Sequence, residues 1–93
     1  MARVSIPVQE GNRAVADGAL PSLMQRTAER WHPEAMYFTT FDGRRTAYLI
    51  FDLPGPPDIP TFAEPFFTQL NAEVELAPVM DGTDLQKGLA QLS

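Results

Sequence analysis

The sequence predicts an α+β fold, with strands and helices in the order β-α-β-β-α-β and a short C-terminal helix. Three observations carry this. Apolar residues alternate over residues 3–8 and again over 73–79, the period of a half-buried strand. Two runs rich in aromatic and β-branched residues flank Asp42-Gly43, the strongest short hairpin signal a sequence offers. Between these strands lie two segments whose apolar residues recur at helical spacing. At 93 residues the chain makes one domain, 1–93, with 81–93 as an amphipathic tail.

In the first strand, Arg3 to Val8, residues Val4, Ile6 and Val8 share one face and Arg3, Ser5 and Pro7 the other. Pro7 has no N–H to give a ladder and belongs at the strand end or a bulge. Glu10-Gly11-Asn12 reads as a turn, with Asn12 as a helix N-cap. Val15, Ala19, Leu20, Leu23, Met24, Thr27 and Trp31 then recur at helical spacing. Gly18 and Pro21 interrupt them. Either Gly18 ends a short helix and Pro21 opens a second, or one long helix kinks at Pro21. Pro33 closes this region, because the residue before a proline avoids the α conformation.

The hairpin strands are Ala35 to Phe41 and Thr46 to Leu53. A two-residue turn fixes their register: Phe41 opposes Arg44, Thr39 opposes Thr46, Phe38 opposes Ala47, Tyr37 opposes Tyr48, and Met36 opposes Leu49. Met36, Phe38, Ala47, Leu49, Phe51 and Leu53 therefore make a core face. Tyr37, Thr39, Phe41, Arg44, Thr46, Tyr48, Ile50 and Asp52 make the opposite one. After Pro54-Gly55-Pro56-Pro57, Asp58 is placed to cap a helix whose stripe is Ile59, Phe62, Phe66, Phe67 and Leu70. Pro65 inside that helix predicts a distortion. The last strand, Glu73 to Val79, turns Val74 and Leu76 inward and Glu73 and Glu75 outward. Thr83 and Gln86 fit a capping box ahead of Leu85, Leu89 and Leu92.

This order is the ferredoxin-like plan, in which right-handed crossovers place both helices on one face of an antiparallel sheet. The helices then cover Val4, Ile6, Val8, Leu49, Phe51, Val74 and Leu76. The open face keeps Arg3, Ser5, Tyr37, Phe41, Tyr48, Ile50, Asp52, Glu73 and Glu75, more apolar surface than a solvated sheet usually shows.

Composition narrows the function classes. Apolar content is 44% and charged content 20%, which suits a globular chain. The chain has no cysteine, which removes disulfides and thiolate metal centres. The net charge of −5 with scattered cations argues against nucleic acid and anionic membrane surfaces as partners. No run approaches the length of a membrane span, and the first residues lack the apolar core of a signal peptide, so a cytoplasmic location is expected.

The stretch Pro33-Glu34-Ala35-Met36-Tyr37-Phe38-Thr39, the hairpin Asp42-Gly43-Arg44-Arg45-Thr46 and the segment Ala63-Glu64-Pro65-Phe66-Phe67 resemble a family of short, uncharacterised bacterial proteins. Through it the chain resembles the dimeric α+β barrel superfamily, and the resemblance covers nearly its whole length. It implies two ferredoxin-like units packed sheet against sheet as a homodimer, often with a cavity on the open face. That superfamily includes cofactor-free monooxygenases, haem-degrading enzymes and cyclases, so fold alone does not fix function. The haem degraders join an Asn, a Trp and a His in one pocket. Asn12, Trp31 and His32 fall instead at the ends of the first helical region, and no catalytic role is carried over.

The open-face set Arg3, Tyr37, Tyr48, Asp52, Glu73 and Glu75 is the main candidate for a ligand site or an interface, since it combines apolar walls with a few polar groups. Read as an interface, its charges pair with one another, for example Arg3 with Glu73 or Glu75. His32, the sole histidine, is a secondary candidate for acid–base work and otherwise a helix-end imidazole facing water. Glu64 beside Pro65 is the other secondary candidate, set against a plain solvent-facing Glu. Trp31 reads as core more readily than as a stacking platform. Asp42, Asp81 and Asp84 read as turn and cap residues, without the spacing of a calcium loop. The expected function is a homodimeric domain that binds a small apolar or aromatic ligand, or a partner, through the open face, with no cofactor. The alternative is a cofactor-independent enzyme of the monooxygenase or isomerase kind, with its chemistry in a cavity between the sheets.

Overall fold

The computed structural model describes residues 1–92. The elements are β1 (Ala2–Ile6), α1 (Val8–Ala16), α2 (Ala19–Trp31), β2 (Ala35–Phe41), β3 (Arg44–Ile50), α3 (Asp58–Leu70), β4 (Glu73–Leu76) and α4 (Gly82–Ala90). The four strands form one sheet in the order β2-β3-β1-β4, every neighbour antiparallel. The chain is thus α+β, with an arrangement compatible with a ferredoxin-like plan.

The hairpin adopts the register expected from its turn: Phe41 opposes Arg44, Tyr37 opposes Tyr48, and Met36 opposes Leu49. Asp42 and Gly43 both have positive φ, 53° and 72°, the mirror-image turn whose twist matches the flanking strands. Elsewhere strands stop where partners run out. β1 pairs Ala2 with Leu49 and with Leu76, so little chain remains to pair residues beyond either. β3 therefore ends at Ile50 rather than Leu53, and β4 at Leu76 rather than Val79. At its other end β1 stops at Ile6, opposite Arg45 and close to the hairpin turn.

That early stop moves the next helix forward. Pro7 sits just past β1, in the N-cap position of α1, and Val8 opens the helix instead of facing the core. The Glu10-Gly11-Asn12 turn is helical, and Asn12 is not a cap; its side-chain oxygen accepts a hydrogen bond from Arg45 at 3.0 Å. Gly18, at φ 80°, breaks the region in two, and Pro21 falls in the first turn of α2, as one of the two readings has it. α2 ends at Trp31 and is capped by His32 in the left-handed conformation, directly before Pro33. α3 runs unbroken through Pro65. Asp58 is its first residue rather than its cap, and its carboxylate accepts from the Gly55 N–H at 3.2 Å. The capping box of α4 is Asp81 with Asp84, not Thr83 with Gln86: the Asp84 N–H donates to the Asp81 carboxylate at 2.8 Å, and the Asp81 N–H donates back at 3.3 Å.

Ala2, Val4, Ile6, Ala47 and Leu49 line one sheet face and meet Ala14, Leu23, Phe62, Ala63, Phe66 and Leu70 from the three helices above. Beside this core, Phe62 stacks on Phe51 at 4.6 Å between ring centres, and Trp31 meets both edge-on at 5.7 Å. Trp31 is therefore a core aromatic. Arg13 ties the helices together, bonding Glu10, Asp17 and the Gln69 carbonyl. The helix layer stops short of β2. Phe38 lies on the helix-side face, as alternation requires, but is 63% exposed rather than part of an unbroken core face. α4 buries none of its residues and projects from the body, and the molecule measures 54 × 27 × 18 Å.

Candidate functional site

The open face is built by alternation on all four strands. β1 contributes Arg3 and Ser5, β3 contributes Arg44, Thr46, Tyr48 and Ile50, and β4 contributes Glu73 and Glu75, in register through the pairs Arg3–Tyr48 and Arg3–Glu75. β2 adds Tyr37, Thr39 and Phe41. Arg3 is the hub. Its guanidinium donates to the Glu75 carboxylate and lies 4.4 Å from the centre of the Phe41 ring, over its face. Glu75's hydrogen bond raises the Arg3 pKa above its ordinary value; partial desolvation opposes this and Tyr48 assists it. A guanidinium is protonated at any ordinary pH, so this shift only deepens a charge that is already fixed. Arg44 takes the second carboxylate, Glu73, at 3.4 Å. Ser5 and Thr46 share a buried hydroxyl contact of 3.5 Å between the two pairs.

Arg3, Ser5, Phe41, Asp42, Arg44, Glu73 and Glu75 line a shallow hollow of about 350 Å³. Tyr37 and Tyr48 stand opposite each other on the same face, outside the hollow's lining. Phe41 and Arg44 were absent from the candidate set, although the two-residue turn already placed both on this face. Three candidates lie elsewhere. Asp52 falls past the end of β3 and lines a second hollow of about 660 Å³ with His32, Glu34, Ile59, Met80 and Asp84, between the body and the tail. His32 is an exposed helix-end residue. Glu64 is exposed on α3, beside an apolar depression formed with Ile59, Ala63, Phe67, Val74 and Leu76.

Chemically, the open face offers paired charges and aromatic rings. Among the described residues, no group of three or more His, Asp or Glu side chains is placed to hold a metal ion. No described helix is long and apolar enough to cross a membrane. The fold and this face define an α+β protein with an uncovered, aromatic and charge-paired sheet surface. No family model, curated protein or solved structure matches the chain.

Proposed function

We propose that this chain works as a homodimer whose open sheet faces meet and hold a small apolar or aromatic ligand, on a ferredoxin-like unit of the dimeric α+β barrel type. The observation that carries the reading is a sheet face without a covering layer that presents Tyr37, Phe41, Tyr48 and Ile50 around internally paired charges. Tyr37 is 65% exposed and Phe41 39%. Because Arg3 and Arg44 already have carboxylate partners, covering the face strands neither guanidinium.

Sedimentation equilibrium of the wild type and of Tyr48→Glu tests this. A wild-type dimer whose dissociation constant rises at least tenfold in the variant is expected, because the new carboxylate would sit desolvated at the interface. Titration of the dimer with a hydrophobic dye such as ANS should then give a saturable site that Tyr48→Glu removes. A wild-type monomer at all concentrations rules the reading out.

A further inference from the structure

The two edges of the sheet are unlike. β4 is four residues long, carries Glu73 and Glu75, and packs beside α3. Short length, charge and a covering helix are the usual ways of blunting an edge against another chain. β2, the other edge, is seven residues long, Ala-Met-Tyr-Phe-Thr-Thr-Phe. Among the described strands it alone has no charged residue. It has no proline, and its register with β3 runs from Ala35–Ile50 to Phe41–Arg44 without a bulge. Both its faces are open, with Tyr37 on one and Phe38 on the other, each more than half exposed.

The hairpin settles which backbone groups point outward. In a two-residue turn the flanking pair, Phe41 and Arg44, exchanges hydrogen bonds, and the bonding alternates along the ladder. Thr39 and Tyr37 therefore face β3 with their main-chain groups, and Met36, Phe38 and Thr40 turn theirs out of the sheet. These three are symmetric about Phe38, which is also the midpoint of the strand. An antiparallel partner of identical sequence, centred on Phe38, pairs Met36 with Thr40 and Ala35 with Phe41 of the other copy, and uses every outward group.

We infer that β2 is an interaction surface for a second copy of this chain, pairing edge to edge across a two-fold axis at Phe38 into one continuous eight-stranded sheet. This goes beyond the open-face reading and stands apart from it. Self-complementarity favours this occupant: an identical strand meets every outward group of β2, and β2 itself brings no charged side chain to the contact. The like charges Glu34 and Asp42, one from each copy, face each other only beyond the two ends of the paired strands. On the helix side, the two Phe38 rings lie opposite each other in the gap between the helix layers, an aromatic cross-strand pair. The assembly closes: the two outer edges are then both β4, and their glutamates oppose further growth.

The experiment is residue-resolved amide exchange on the full chain, alongside sedimentation equilibrium of the wild type, Phe38→Lys and Tyr48→Glu. The expected result is an associated wild type in which the Met36, Phe38 and Thr40 amides exchange at least about 100-fold more slowly than open-edge amides. In Phe38→Lys that protection is lost together with one step of association; in Tyr48→Glu it is retained. The exchange reading on the wild type needs no variant, and Phe38 is exposed enough for the lysine to leave the core intact. Free exchange at these three amides in the wild type overturns the proposal. So does protection that persists in a monomer, or that Tyr48→Glu alone removes. If Phe38→Lys alone yields monomers and Tyr48→Glu changes nothing, the edge pairing stands and the open-face dimer fails.

Discussion

Phe62 is the residue on which the interior turns. It is 1% exposed, stacks on Phe51, takes the edge of Trp31, and meets Phe66 at 5.3 Å between ring centres. Phe62→Ala removes all of these contacts and leaves a cavity that backbone movement fills only in part. We expect a loss of about 3–5 kcal/mol in urea or guanidinium unfolding, enough to leave a domain of this size marginal. At this scale much was legible in the sequence. Strand alternation alone put Arg3 and Glu75 on one face, and they are paired there. It also put Phe38 on the helix side, but a two-residue period says only which way a side chain points. How far a helix layer reaches across the sheet depends on where α1 to α3 pack, and no local pattern encodes that.

At the scale of elements, the differences from expectation share a cause. Val8, Asp52, Pro78 and Val79 continue an alternating pattern, and each lies beyond the last pair of its ladder. Ladder hydrogen bonds, not propensity, decide where a strand stops. Asp52 left the open face for this reason, and the candidate set separated into an open-face group, a group under the tail and Glu64 on α3. The hairpin was read correctly because its two-residue turn is a local constraint that leaves one register. The caps were not, because Asp81-Gly82-Thr83-Asp84 offers more than one possible start, and Asp81 and Asp84 satisfy each other's N–H groups. α4 adds apolar surface without burying it: Leu85, Leu89 and Leu92 are all exposed. A chain ending at Met80 should therefore keep its unfolding free energy within about 1 kcal/mol of the full chain. It should also be more soluble, since an exposed leucine stripe promotes association. A larger loss of stability in the denaturant curve would mean that α4 folds back onto the body in solution.

At the scale of the whole molecule, the strand first in sequence lies between the strands third and last in sequence. Its start is bound to the end of β4: the Met1 amino group donates to the Ala77 carbonyl at 2.8 Å, and the Ala77 N–H donates to the Met1 carbonyl at 2.9 Å. Without the tail, the folded body is thus a ring of chain lacking one link. A short glycine bridge from Ala77 to Met1 should close it, and the exposed Pro54–Pro57 loop offers a place to reopen it. The rearranged polypeptide should give the same near-ultraviolet circular dichroism as the parent and unfold in one cooperative step. A non-cooperative product would show that the original path of the backbone through the sheet matters in its own right. A native-like one would show that contacts between neighbours hold this architecture together, whatever sequence of links joins them.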